Sequence, residues 1–228
     1  MKCINTNQNV VGMVLKDWIS IVTGLIISSF VAAQDVASSS VKRYNRIGRL
    51  KVDTTFNKAY LDDFLVPYQA FSDLHNCRIK IKSKKLKTTM AARPHFFSLL
   101  LGKRNRRYII LVNKDETFKG VHLKDVPAEA RIGLFAHELM HIRDYESRKV
   151  SGVMERGIQY LSHKGKTHVE HYTDSLTIAA GFGQNLYHWA SYVLHDSDAC
   201  DEYKAFKSEV YMTPVRILTQ IEATLPKP

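Results

Sequence analysis

His137-Glu138-Leu139-Met140-His141 sets two histidines four residues apart, with a glutamate beside the first. On a helix of about 3.6 residues per turn such positions stack on one face, with Cβ atoms roughly 5–6 Å apart. Both imidazoles can then reach one divalent ion at about 2.0–2.1 Å, leaving room for water and a third ligand. Glu138 lies beside that face without being needed as a ligand, so it can take a proton from a water that the metal has acidified. The residue types and their spacing point to a zinc-dependent hydrolase, with peptide bonds as the first substrate class to consider.

The preceding residues support a helix there. Asp125 falls near the N-cap, Pro127 suits the first turn, and Glu129 favours the positive end of the helix dipole. Ile132, Phe135, Ala136, Leu139 and Met140 recur at helical spacing and can bury one side, leaving the other for the histidines. A third ligand must come from elsewhere. The metzincin scheme, with a histidine six residues after His141 and a glycine before it, fails because Asp144 and Ser147 occupy those positions.

His168-Val169-Glu170-His171-Tyr172-Thr173-Asp174 offers two carboxylates at i and i+4, which share a helix face. One can complete the metal site, and the other can accept the outer N–H of a ligand histidine and fix its tautomer. His171, His168 and His163 are rival ligands close by. Over about residues 127–181 the chain resembles the gluzincin peptidases, the broad group that includes the thermolysin-like enzymes. That resemblance implies Glu170 as the third ligand and Asp174 as the partner of a ligand histidine. The donor for a developing oxyanion stays open, with Tyr172, Tyr187, His188 and His195 all available.

At 228 residues the chain is long enough for one domain with a proper core. Trp18 to Ala33 is an uncharged, apolar run ending in Val31-Ala32-Ala33, which reads as a signal peptide occupying residues 1–33. The alternative is a membrane anchor within residues 10–33, since the run is near the lower length for a span. Residues 34–56, with Ser38-Ser39-Ser40, read as an exposed lead-in, and 57–228 as the zinc metallopeptidase domain. Export would allow Cys77 and Cys200 to pair, although two separate thiols are as reasonable.

Charge is concentrated. Between Arg78 and Arg107 stand eleven Lys/Arg and no Asp or Glu, equal to the whole net charge of +11. Arg78-Ile79-Lys80-Ile81-Lys82 alternates with period two, and Arg107–Asn113 reads as a more buried strand after a turn at Lys103–Arg106. This block is expected to be a small antiparallel sheet with a positive face, suited to an anionic envelope or membrane surface or serving only as a solvated face. Nucleic acid is not an expected partner, since no recognition motif accompanies the charge. Tyr108–Asn113 or Gly120–Leu123 is expected to line the cleft, a helix to run from His168 to Leu194 with a break at Gly181–Gly183, and Pro214 to open the last helix. The expected fold is therefore α+β and zincin-like, with the HExxH helix packed on a second, ligand-bearing helix. The expected function is zinc-dependent hydrolysis of a peptide or protein substrate by an exported enzyme. A binding module with a structural metal, and an amidase acting on a cell-wall amide, are the alternatives.

Overall fold

The computed structural model describes residues 48–224, so the expected signal peptide or anchor lies outside the described residues. A four-stranded sheet and a set of helices share one core. The elements are β1 (Arg49–Val52), α1 (Leu61–Ala70), β2 (Arg78–Lys84), β3 (Met90–Pro94), β4 (Arg107–Asn113), α2 (Ala128–Ser147), α3 (Val150–Gln159), α4 (His163–Thr177), α5 (Gly183–Ser191), α6 (Asp201–Val210) and α7 (Pro214–Thr224). Short 3-10 segments link several of them, and a single helical turn, Phe96–Leu99, sits between β3 and β4. Among the described residues no helix is long and apolar enough to cross a membrane.

The sheet order is β1-β2-β4-β3. β2 shows the expected alternation, with Ile79 and Ile81 buried and the intervening lysines partly exposed. β4 is the most apolar strand and lies between β2 and β3, where both faces are covered. Its pairing corrects the expectation of an antiparallel sheet. β1 runs parallel to β2, β2 runs parallel to β4, and β3 alone is antiparallel to its neighbour. The chain leaves β2, reverses into β3 on the far side of β4, and reverses again to enter β4, so two reversals restore the direction of β2. Asn113 fixes the first of these connections: its side chain accepts from the Leu86 N–H and donates to the Leu86 carbonyl, at 3.1 and 3.0 Å.

Two further boundaries differ from expectation. The stretch 34–56 is not an exposed lead-in throughout, because β1 joins the sheet and Phe56 is buried. Gly120–Leu123 is not a strand; Val121 and Leu123 fill the core from a loop that enters a 3-10 turn. Cys77 and Cys200 are both free thiols.

α2 is buried nearly all round, because the sheet and α1 cover one side while α4 and α5 cover the other. Gly133 makes a close approach possible, since a Cβ there would clash with the Asn185 backbone carbonyl of α5. The long C-terminal helix expected from His168 breaks as the glycines suggest. Gly181 adopts φ +88°, a left-handed conformation that side-chain-bearing residues rarely take, and the chain turns there from α4 into α5. α6 and α7 follow, with Pro214 at the first position of α7.

Candidate metal centre

α2 and α4 pack side by side and direct His137, His141 and Glu170 towards one point. All three are nearly inaccessible, at 4, 5 and 3 % exposure. The two Nε2 atoms lie 3.1 Å apart, and each lies 3.2 Å from Glu170 Oε2. These separations match the edge of a tetrahedron, about 3.3 Å for metal bonds of ~2.0–2.1 Å.

The outer ring nitrogens determine what the inner ones can offer. Asp174 Oδ1 lies 2.8 Å from His137 Nδ1, and its Oδ2 accepts from the Met212 N–H at 3.0 Å. Thr173 Oγ1 donates its proton to the Val169 carbonyl at 2.9 Å, so it can only accept from His141 Nδ1 at 3.1 Å. With a cation bound, both imidazoles would therefore carry their protons on Nδ1 and turn lone pairs inward. Tyr160 donates to the other Glu170 oxygen, Oε1, at 3.0 Å, which leaves Oε2 to the centre. Two neutral nitrogens and one carboxylate oxygen form a donor set suited to a divalent cation such as zinc.

Electrostatics agree with this reading. Burial alone would raise the Glu170 pKa, yet the neighbouring His141 and His137 hold it well below the usual carboxylate range. Burial likewise opposes a charged imidazole at His137, but the hydrogen bonds to Asp174 and Glu170 outweigh it and lift the pKa to about 10. A proton on His137 Nε2 faces Glu170 Oε2 at the point where the three candidate ligand atoms converge, and Asp174 holds the proton on the outer nitrogen.

Glu138 differs from the three candidate ligands. It is 4 % exposed, and its Oε2 is buried without a hydrogen-bond partner. Desolvation pushes its pKa up, partly opposed by the two histidines. It reaches a cleft of about 400 Å³ that also exposes His141, Glu170, Tyr145, Tyr160 and Tyr211. Its lining includes Thr88, β3 from Met90 to Pro94, and α3 through Val153 and Gly157. This corrects the expected lining strand: neither Tyr108–Asn113 nor Gly120–Leu123 borders the cleft, because β4 is covered by β3 on that side.

The rival ligands do not join the cluster. His163 and His168 are exposed, with His163 facing Glu209 at 3.4 Å, and His171 lies outside the group that converges with Glu170. Tyr172, Tyr187, His188 and His195 do not line the cleft. Tyr211 does; its ring centroid is 5.9 Å from that of His137, and Lys207 Nζ sits 3.8 Å above it. Burial keeps the Tyr211 hydroxyl protonated well beyond its ordinary range. Thr173 was within reach of sequence reasoning, being three residues after Glu170 on the same helical face. Tyr160 and Tyr211 were not, because nothing in their spacing ties them to the motif.

Comparison with protein-family models, curated proteins and solved structures finds no match to this chain.

Proposed function

We propose that the protein is a metal-dependent hydrolase of peptide bonds, of gluzincin type, with His137, His141 and Glu170 as ligands and Glu138 as general base. The observation that carries the reading is a buried carboxyl with an unpartnered oxygen next in sequence to one of three converging ligand atoms, with Glu138, His141 and Glu170 lining one cleft. A binding module with a structural metal has no use for such a group, and an uncompensated buried carboxyl costs stability.

A divalent cation held by the three ligands, zinc by the chemistry of the donors, would acidify water and polarise a carbonyl. Glu138 takes the water proton as the nucleophile attacks and returns it to the departing nitrogen. Its raised pKa brings the group towards the working range of a base that must also act as an acid. Asp174 and Thr173 keep the histidine lone pairs aimed inward through the cycle, and Tyr160 keeps Glu170 Oε1 from competing with Oε2. Tyr211 supplies a protonated hydroxyl for the developing oxyanion.

The choice of a peptide substrate rests on β3. It is an edge strand, and among the described residues no strand pairs with its outer side. An extended peptide laid antiparallel or parallel along that edge gains main-chain hydrogen bonds that are indifferent to its side chains. The apolar N-terminal run supports an exported enzyme.

The test compares wild type with Glu138→Gln on a peptide library read by mass spectrometry, with metal content measured on both. Wild type should cleave. The variant should retain its metal and fold and lose roughly 10²–10⁴ of the rate. Undiminished cleavage by the variant removes Glu138 from its role, and a metal-loaded wild type that cleaves no peptide removes the peptidase reading.

A further inference from the structure

We propose that the loop between β3 and β4 is a docking element that seats the mouth of the cleft on an anionic phospholipid surface. This goes beyond the hydrolytic reading and does not depend on it. Phe96, Phe97, Leu100 and Leu101 are 57, 70, 72 and 59 % exposed within six residues of chain. Single exposed apolar side chains are ordinary, but a contiguous group of this size is a mark of an interaction surface.

The loop is built to present these residues. Ser98 and Leu99 point inward and are buried, so the outward positions come as two pairs flanking an anchored centre. Ser98 Oγ donates to the His95 carbonyl at 2.6 Å and accepts from the Arg107 N–H at 2.9 Å. Asn105 Nδ2 donates to the Leu101 carbonyl at 3.1 Å. At the base, the buried Arg106 guanidinium donates to the carbonyls of Tyr145 and Arg148, both at 2.9 Å, which fixes the loop to the end of α2.

Charge identifies the occupant. Arg93, Lys103, Arg104 and Arg107 are exposed around the apolar tip, in a stretch with no acidic residue. An open groove of about 740 Å³ includes Lys103, Arg104 and Arg49 in its lining. Its two carboxylates are already engaged, Asp73 by Arg143 at 2.8 Å and Glu146 by the Tyr108 hydroxyl at 3.0 Å. Apolar side chains that enter below the headgroups, ringed by cations at phosphate level, are the two signals that together give stable interfacial binding. A second copy of the chain fits less well, because it would bring the same cations face to face. Pro94 lines the cleft two residues before Phe96, so docking places the cleft at the bilayer surface.

The experiment uses the full chain with vesicles of phosphatidylcholine, with and without about one-third phosphatidylglycerol, and reads amide hydrogen exchange of residues 95–104. This local readout separates the loop from any attachment through the apolar N-terminal run. Exchange there should slow about tenfold or more on anionic vesicles and stay unchanged on neutral ones. Phe97→Ser with Leu100→Ser should abolish the slowing. Lys103→Gln with Arg104→Gln should weaken the affinity about 25-fold, near fivefold per charge. Thermal midpoints equal to wild type show that both variants are folded. A chain that sediments with the vesicles while 95–104 exchanges as in solution overturns the proposal. So does protection that needs no lipid and grows with protein concentration, which identifies a second copy as the occupant.

Discussion

Replacing Asp174 by asparagine keeps the shape of a buried side chain while changing what it can accept. Asp174 receives two donors, His137 Nδ1–H through Oδ1 at 2.8 Å and the Met212 N–H through Oδ2 at 3.0 Å. An amide has one acceptor oxygen, so one donor must face its NH₂ group. With the oxygen towards His137, the Met212 N–H is left buried and unpaired, at a cost of about 1–3 kcal/mol. With the oxygen towards Met212, His137 must accept at Nδ1 and carry its proton on Nε2, 3.2 Å from Glu170 Oε2, where a cation would bind. The metal-free protein can choose the cheaper orientation, whereas the metal-loaded protein is confined to the first. Metal affinity should therefore fall by about 10–100-fold, or ~1.4–2.7 kcal/mol. Competition against a chromophoric chelator measures that affinity, and urea unfolding of the metal-free forms measures the stability. An unchanged dissociation constant would refute the assignment of Asp174 as the group that orients His137.

Glu170→Ala removes one of the three proposed ligands; zinc is expected at about one per chain in wild type and at a small fraction of that in the variant after dialysis, by elemental analysis. Full retention would move the site elsewhere. Asp144→Asn leaves the buried Arg156 without the carboxylate it contacts at 2.9 Å and should lower stability by about 3 kcal/mol in denaturant titrations at neutral pH. Although burial alone would raise it, hydrogen bonds from Arg148 and Arg156 hold the Asp144 pKa below its ordinary value. Its contribution is then present above the unfolded value near ~3.9 and lost as pH falls through the folded one, so the wild-type advantage over the variant should shrink on acidification. Gly133→Ala puts a methyl group against the Asn185 backbone and should destabilise by about 1–3 kcal/mol through separation of α2 and α5. A variant as stable as wild type would show that the two helices can part freely.

Helical periodicity made most of the site legible. The four-residue spacings of His137/His141 and Glu170/Asp174 place each pair on one face whatever surrounds them, and the structure brings His137, His141 and Glu170 together. Gly181 and Pro214 marked real interruptions for backbone reasons that need no tertiary information. Strand direction was another matter. Alternation in Arg78–Lys82 identifies a strand and its buried face, but not whether its neighbour runs with or against it. β3 was invisible: Met-Ala-Ala-Arg-Pro lacks β-branched and aromatic residues and ends in proline, and only its place beside β4 makes it a strand. Missing β3 meant misassigning the wall of the cleft. Tyr160 and Tyr211 escaped for a similar reason, since packing alone brings them to the site.

The position of β3 also bears on how the molecule keeps from sticking to itself. An unpaired sheet edge is a template for other sheets, and proteins usually blunt such edges with charge, proline or cover. Here β3 lines a cleft that also takes in Val153 and Gly157 of α3, so the strand has neighbouring cover that limits approach to its edge. Arg93 and Pro94 close the strand at the end nearest the loop. The opposite edge, β1, is four residues long and carries Arg49 and Lys51. Intermolecular β-pairing is thus limited by cover beside one edge of the sheet and by charge and brevity at the other.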